Sequence, residues 1–229
     1  MPKKSKGKKS KQTKQQTAAS SVPAHAPDHP ALVAANAVAD VMVDFQAFAR
    51  YARNGADVSI RGSQAIDLSE STREGVVALF ESNMKALYQA SDWGYDPVAK
   101  RKELFEDEAR YLFVHDESVA STASAPLVGF AHFRFVEDDG ALVLYLYEVQ
   151  LASTTQRHGL GKFLMQLLLL VARKHGMELM VLTVFKSNTG AMKFYRERLG
   201  FEIDETSPSA CGDNSQDYEI LSKSVEPTK

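Results

Sequence analysis

The chain of 229 residues holds one cysteine, Cys211, so it can neither close an internal disulfide nor build a multi-cysteine zinc site. That usage suits a reducing compartment. Cys211 sits in a polar Gly/Asp/Asn stretch with no partner to activate it, which disfavours a covalent cysteine route. His115, His132, His158 and His175 show no metal-ligand spacing and read as structural or surface groups, so no metal is expected. The longest apolar run, around residues 167–172, falls well short of the roughly 20 residues a membrane span needs. The lysine-rich start has no apolar stretch after it, so it is not a secretory signal, and Pro2 in place of glycine excludes N-myristoylation. No membrane partner is expected, and the chain has no internal repeat.

Charge is present and unevenly placed. Residues 1–14 carry seven lysines and no acid; taking those seven from the 27 basic residues leaves 20 against 29 acidic ones, a net −9 on the remainder. A basic tail on an acidic body suggests two partners of opposite charge. Residues 1–30 are rich in Lys, Gln, Ser, Ala and Pro and are expected to be disordered, because they cannot bury enough apolar surface to offset ordering entropy. The tail reads equally as a nuclear-import arm, a contact for nucleic acid or ribosome, or a solubilising segment. The rest, 31–229, is long enough for one globular domain with its own core, expected as a monomer.

Apolar spacing predicts helices over 31–52, 69–91, 100–110, 160–174 and 188–199. Asn54-Gly55 is expected to stop the first, and Ser69 or Ser71 to cap the second. Strands are predicted at 57–61, 111–115, 127–136, 141–151, 179–185, near 201–206 and at 217–222, with a hairpin turn at Glu137-Asp138-Asp139-Gly140 and a small polar linker at 118–125. Meander strands followed by a strand–helix–strand–helix–strand ending define a mixed α/β sheet.

The most telling residues are Gln156-Arg157-His158-Gly159-Leu160-Gly161, between a strongly apolar strand and an amphipathic helix. A strand running through a glycine turn into a helix leaves unpaired N–H groups aimed at one spot, which suits phosphate oxygens. Gly159 and Gly161 allow close backbone approach to a pyrophosphate, and Arg157, His158 and Lys162 can add side-chain charge. The spacing Gln-x-x-Gly-x-Gly points to coenzyme A; a glycine-containing helix start with nothing bound is the alternative.

With Asn188-Thr189-Gly190-Ala191-Met192-Lys193-Phe194-Tyr195 and Leu199-Gly200-Phe201 further on, the order of motifs resembles the GNAT acetyltransferase superfamily across about 57–222. The resemblance implies the GNAT fold: a mostly antiparallel mixed sheet splayed at its central strands, helices on both faces and, here, an extra N-terminal helix. It implies acetyl-CoA as co-substrate, gripped at its pyrophosphate by 156–162, paired along its pantetheine by the backbone of Val149, Gln150 and Leu151, and bonded by Asn188. It also implies that Tyr195 protonates the leaving thiolate, with plain packing as the alternative.

Further stretches, Ser91-x-Trp93-Gly94, His132-Phe133-Arg134-Phe135, Tyr145-x-Tyr147-Glu148-Val149-Gln150-Leu151, Leu182-Thr183-Val184-Phe185-Lys186 and Tyr218-Glu219-Ile220-Leu221-Ser222, look like the branch of that superfamily that acetylates histone N-termini. That likeness implies histone tails beginning Ser-Gly-Arg-Gly-Lys as substrates, and nucleus and cytoplasm as the places of work. It implies substrate contacts from Tyr88, Trp93, Tyr145, Tyr147, Thr183 and Tyr218. Glu137 and Asp138 are candidates to receive the substrate arginine, or else form a solvated acidic turn. One departure is Val136, which stands where that branch carries an acid that helps hold the substrate.

Acyl transfer to an amine needs a neutral amine, a polarised carbonyl and a departing thiolate. An α-amine with pKa about 7.7–8.0 needs less help than a lysine at about 10.4. Glu148, ending an otherwise apolar strand, is the candidate base, since desolvation raises a carboxylate toward a useful range; a Glu satisfied by a neighbouring donor is the alternative. Strand alternation sends Tyr147 and Glu148 to opposite faces, so both serve one site only if the strand bulges or they act from different sides. The rival readings are an internal-lysine or small-amine acetyltransferase with the same cofactor site, and a non-catalytic chromatin-binding module.

Overall fold

The computed structural model describes residues 29–118 and 125–225. The expected disordered tail up to residue 28 and the expected linker at 119–124 lie outside the described residues.

The strands are β1 (Arg50–Arg53), β2 (Ala56–Gln64), β3 (Arg110–Asp116), β4 (Leu127–Asp138), β5 (Ala141–Leu151), β6 (Leu179–Phe185), β7 (Glu202–Ile203) and β8 (Tyr218–Ser224). The helices are α1 (Pro30–Asn36), α2 (Glu70–Ala90), α3 (Pro97–Leu104), α4 (Leu160–Lys174) and α5 (Thr189–Lys193), the last continuing into a π-helical turn, Phe194–Arg198. One sheet runs in the order β1-β2-β3-β4-β5-β6-β8-β7. Every neighbouring pair is antiparallel except β5 and β6, which are joined by the crossover helix α4.

Helices cover both faces, as the sequence resemblance implies. On one face, the buried stripe of α4 (Leu160, Leu164, Leu168, Val171) packs with Leu32, Met42 and Leu144. On the other, α2 and α3 bring Val76, Phe80 and Leu104 against Tyr111 and Phe130. Ser69 caps α2 by accepting from the Thr72 N–H. Among the described residues no single helix is long and apolar enough to cross a membrane.

The predicted helix over 31–52 is broken. α1 stops at Asn36, a 3₁₀ helix runs Val41–Phe48, and β1 follows. The break is held by the sheet. The Arg110 guanidinium donates to the Asn36 carbonyl at 2.7 Å and also bonds the Val38 carbonyl, to which Gln64 Nε2 donates at 3.0 Å. Asp40 then restarts the chain by capping the Met42 N–H at 2.8 Å. Asn54-Gly55 is consequently not a helix stop but the two-residue turn of the β1–β2 hairpin, with φ of 54° and 82°. α3 is also displaced, starting at Pro97 and ending at Leu104, because Asp96 caps it and Arg110 already begins β3.

Candidate active site

β5 and β6 pair only over four rows, Val143–Leu146 against Leu179–Leu182. Beyond Leu146 they part, and β5 loses its partner on that side. Where the pairing ends, the Tyr145 hydroxyl and Thr183 Oγ1 lie 2.7 Å apart, closing the base of the notch. A cavity of about 720 Å³ opens there between the diverging strands.

At the same level β5 bulges. Its register with β4 passes from His132↔Glu148 to Phe133↔Leu146, leaving Tyr147 as the extra residue. Below the bulge, Leu142, Leu144 and Leu146 face the α4 core while Tyr145 and Tyr147 face the other way; above it, Val149 and Leu151 join the α4 core. The extra residue therefore puts Tyr145, Tyr147, Glu148 and Gln150 on one face, which answers the alternation conflict between Tyr147 and Glu148.

Glu148 is 5 % exposed and its two oxygens are separately held. Oε1 meets Lys100 Nζ at 2.7 Å, and Oε2 accepts from Gln150 Nε2 at 2.7 Å. Asn83 Nδ2, from α2, donates to Gln150 Oε1 at 2.9 Å and fixes that carboxamide. Lys100 also meets Glu103 at 2.5 Å and donates to the Tyr88 hydroxyl at 3.1 Å. Its ammonium stands 4.6 Å from the centre of the Phe80 ring. One ammonium thus faces two carboxylates. Burial works against the charge on Lys100, yet Glu103 and Glu148 together hold it well above the ordinary lysine range. The cluster keeps a net negative charge, and burial lifts the Glu148 carboxyl above its ordinary value against the pull of Lys100. The result is a buried carboxylate of raised basicity on the cavity wall.

Aromatic rings line the side beyond Glu148. Tyr88 meets Phe185 edge to face with centroids 5.0 Å apart, and Trp93 packs 5.0 Å from Tyr218. Tyr147 stacks on His132 at 4.8 Å, with the Arg134 guanidinium 4.5 Å from its ring. Burial pushes the Tyr147 phenol up to about 12 and raises those of Tyr88, Tyr145 and Tyr195, so all four remain protonated donors at neutral pH. Burial pushes the His132 imidazole well below its ordinary value, so it is neutral.

At the opposite mouth, Gly159 (φ 84°) lies ahead of α4, whose first turn has no side-chain cap. Arg157 also adopts positive φ, 67°. The β1–β2 hairpin braces this loop. Tyr51 Oη donates to the His158 carbonyl at 2.6 Å, Asn54 Nδ2 donates to it at 3.0 Å, and His158 Nδ1 sits 2.7 Å from the Asn54 carbonyl. The loop's carbonyl side is thereby bound to the hairpin, and its uncapped amides remain for anionic oxygens. Uncapped helix, bare Gly159 and the adjoining Arg157 and Lys162 on the cavity wall fit a pyrophosphate.

Most sequence-predicted site residues come together on this cavity. Glu148, Tyr147 and Tyr195 do; so do Val149, Gln150, Leu151, Gln156, Arg157, Gly159, Gly161, Lys162 and Asn188, and Tyr88, Trp93, Tyr145, Thr183 and Tyr218. Some are already occupied: Leu151's carbonyl accepts from both Asn83 (3.1 Å) and Gln156 (3.0 Å), and Asn188 Oδ1 caps the Ala191 N–H at 3.2 Å. Four do not reach it. The His158 ring turns to Asn54, and Leu160 is core, 1 % exposed. Glu137 pairs across from Leu142, which places it on the sheet face opposite Tyr145, and it is exposed. Asp138, opposite Ala141, lies on the Tyr145 face but beyond the cavity lining. The side chains sequence reasoning missed are Asn83, Lys100 and Glu103. Asn83 is a polar residue on the inward stripe of α2. Lys100 carries only the faint signal of an i, i+4 pairing with buried Leu104.

The acetyltransferase (GNAT) family model matches residues 76–201, and the chain belongs to that family. Similar solved structures include a GNAT-family acetyltransferase from Desulfovibrio desulfuricans (17% identity, TM-score 0.54, covering 74% of this chain and 99% of that one). The PaiA N-acetyltransferase of Thermoplasma acidophilum in complex with coenzyme A is 17% identical at TM-score 0.51, covering 73% of this chain and 98% of its own. The NatC complex bound to Gag peptide and CoA is 14% identical at TM-score 0.54, covering 74% and 99%. At these identities the likeness is one of fold. The protein is an acetyl-CoA-dependent acetyltransferase, and no cluster of His, Cys, Asp or Glu among the described residues could hold a metal ion.

Proposed function

We propose that this acetyltransferase acts on protein N-termini, as an enzyme of the NatD type whose substrates are histone tails beginning Ser-Gly-Arg-Gly-Lys, and that it works in nucleus and cytoplasm as a monomer. The observation that carries this reading is Glu148, buried and held by Lys100 and Gln150 in a notch whose far side is walled by tyrosines. A weak, buried carboxylate base suits an α-amine, which is already partly neutral near pH 7, better than a lysine.

Acetyl-CoA supplies the acetyl group as a thioester. The chain's own groups do the rest. The loop from Gln156 to Lys162 anchors the pyrophosphate through its amides. Glu148 takes a proton from the amine. Tyr195, a protonated phenol on the cavity wall, holds a proton where a leaving sulfur can take it. Tyr88, Trp93 and Tyr218 bound a slot that favours a small first residue, while Tyr145 and Thr183 close its floor. Alignment of two reactants in that slot provides much of the rate. The substrate's basic third residue falls to Asp138, which is felt electrostatically by Tyr145 and stands on the same face as Val136. The lysine-rich tail is the contact for nucleic acid or ribosome.

Glu148→Gln is expected to keep acetyl-CoA affinity and lose about 10²-fold or more in kcat. Mass spectrometry of an acetylated Ser-Gly-Arg-Gly-Lys peptide should find the label on the α-amine. Label on the lysine side chain with a free α-amine would instead make this an internal-lysine enzyme, and unchanged turnover in Glu148→Gln would remove the base.

A further inference from the structure

At neutral pH an α-amine arrives mostly as an ammonium with three protons. The product amide keeps one, the departing thiol takes one, and the third must reach solvent on every turnover. Glu148 can accept that proton but cannot easily discharge it during turnover, being 5 % exposed with its open side on the cavity that the two reactants fill. The groups facing the cluster are Tyr88 from α2, Tyr111 from β3, His132 and Arg134 from β4, Tyr147 from β5 and Tyr195 from the π turn. None of these groups hydrogen-bonds Glu148: the Tyr88 hydroxyl accepts from Lys100 at 3.1 Å, the Tyr111 hydroxyl bonds the Leu104 carbonyl, neither ring nitrogen of His132 has a partner, and Arg134 is engaged with Glu106 at 2.6 Å and with the Glu103 carbonyl at 2.6 Å. The continuous exit is Lys100. Its ammonium touches Glu148 at 2.7 Å and Glu103 at 2.5 Å, and the Glu103 side chain is 28% exposed against 7% for Lys100.

We propose that Lys100 and Glu103 form a proton exit from Glu148 to solvent. The inference rests on the assignment of Glu148 as base. In the transfer, protonated Glu148 gives its proton to Lys100 Nζ as Lys100 gives one of its own to Glu103. Lys100 is an ammonium before and after, Glu148 returns to carboxylate, and Glu103, now a neutral acid, loses the proton to water. Lys100 and Glu103 are positioning and relay residues that act through Glu148. A merely static ion pair would need the lysine's charge, but not its exchangeable protons or a second acceptor.

The test compares four proteins, wild type, Glu103→Ala, Lys100→Arg and Glu148→Gln, in kcat, acetyl-CoA affinity and response to added imidazole. Imidazole is an uncharged base that can take a proton at the opening left in Glu103→Ala without restoring its negative charge. The expected result is a kcat lower by about tenfold or more in Glu103→Ala, unaltered acetyl-CoA affinity, and recovery that rises with imidazole concentration. Lys100→Arg keeps the cation but not a releasable proton, and is expected to lose turnover without rescue while still binding acetyl-CoA. Wild-type kcat in either variant, or a loss in Glu103→Ala that imidazole does not repair, overturns the relay. Glu148→Gln separates the two claims: if it is inactive while Glu103→Ala is unimpaired, only the relay fails, and if it turns over normally the base assignment fails with it.

Discussion

Gly159 shows how much of the cofactor site rests on one missing atom. Its φ is 84°, and a Cβ there would come within 2.8 Å of Tyr51 Oη. Gly159→Ala is expected to cost about 1–2 kcal/mol from the left-handed backbone alone, with a further loss of acetyl-CoA affinity as Tyr51 is pushed off the His158 carbonyl; thermal unfolding and calorimetry would measure both. As the proposed base, Glu148 would set the pH behaviour. Its carboxyl is raised by burial, and only the ionised form accepts a proton, so kcat should rise with pH through an apparent value above the ordinary carboxylate range and level off beyond it. An acid limb at the value of an exposed glutamate would contradict the environment described for it. The glycine loop was legible in the sequence because its spacing is local. The Glu148 network was only half legible: the carboxylate stood out in an apolar strand, but its partners Lys100 and Asn83 arrive from two helices that sequence spacing does not connect to it.

Among the elements, the β1–β2 hairpin has the least expected role. Read from apolar spacing, the residues up to 52 belong to a helix and Asn54-Gly55 to its stop, with a strand only at 57–61; the pairing of 50–53 with that strand is a tertiary effect, reached once Arg110 and Gln64 hold the carbonyls of the break. Its tip then reaches the glycine loop at His158. Tyr51→Phe removes the donor to the His158 carbonyl and should weaken acetyl-CoA binding severalfold, by about 1 kcal/mol, with little change in kcat at saturation. A fall in kcat at unchanged affinity would show that the hairpin acts on chemistry instead. α2, α4, β5 and β6 were readable within a residue or two because each has a strong, uninterrupted pattern. The π turn that carries Tyr195 was not, since an i→i+5 turn leaves the same residues apolar as an α-helix does.

At the scale of the molecule, two halves of the sheet meet through four parallel rows and the clasp of Tyr145 on Thr183. Ligand bound in the notch beyond them bridges both halves. At a hundredfold excess over its Kd, acetyl-CoA should add about 2.7 kcal/mol of stability, read as a rise in Tm of about 5–10 °C for a chain of this size. No rise at saturating acetyl-CoA would contradict binding in the notch. The overall architecture was legible from the order of motifs, because a strand, a glycine loop and a crossover helix leave few ways to close a sheet. The placement of the acidic turn was not. Glu137 and Asp138 are neighbours in sequence, yet the pleat sends one to each side of the sheet.

The unpaired residue at 147 makes the enzyme sensitive to parity. Loss of that single codon would restore perfect alternation along the strand and leave every other element in place. Glu148 would step into the vacated place, so the carboxylate, Gln150, Val149 and Leu151 would each keep their face, and the loss would be the Tyr147 ring itself. A one-residue slip of the strand beyond 147, which absorbs the extra residue without removing it, would instead carry Glu148 and Gln150 into hydrocarbon and bring Val149 and Leu151 to the Tyr145 face.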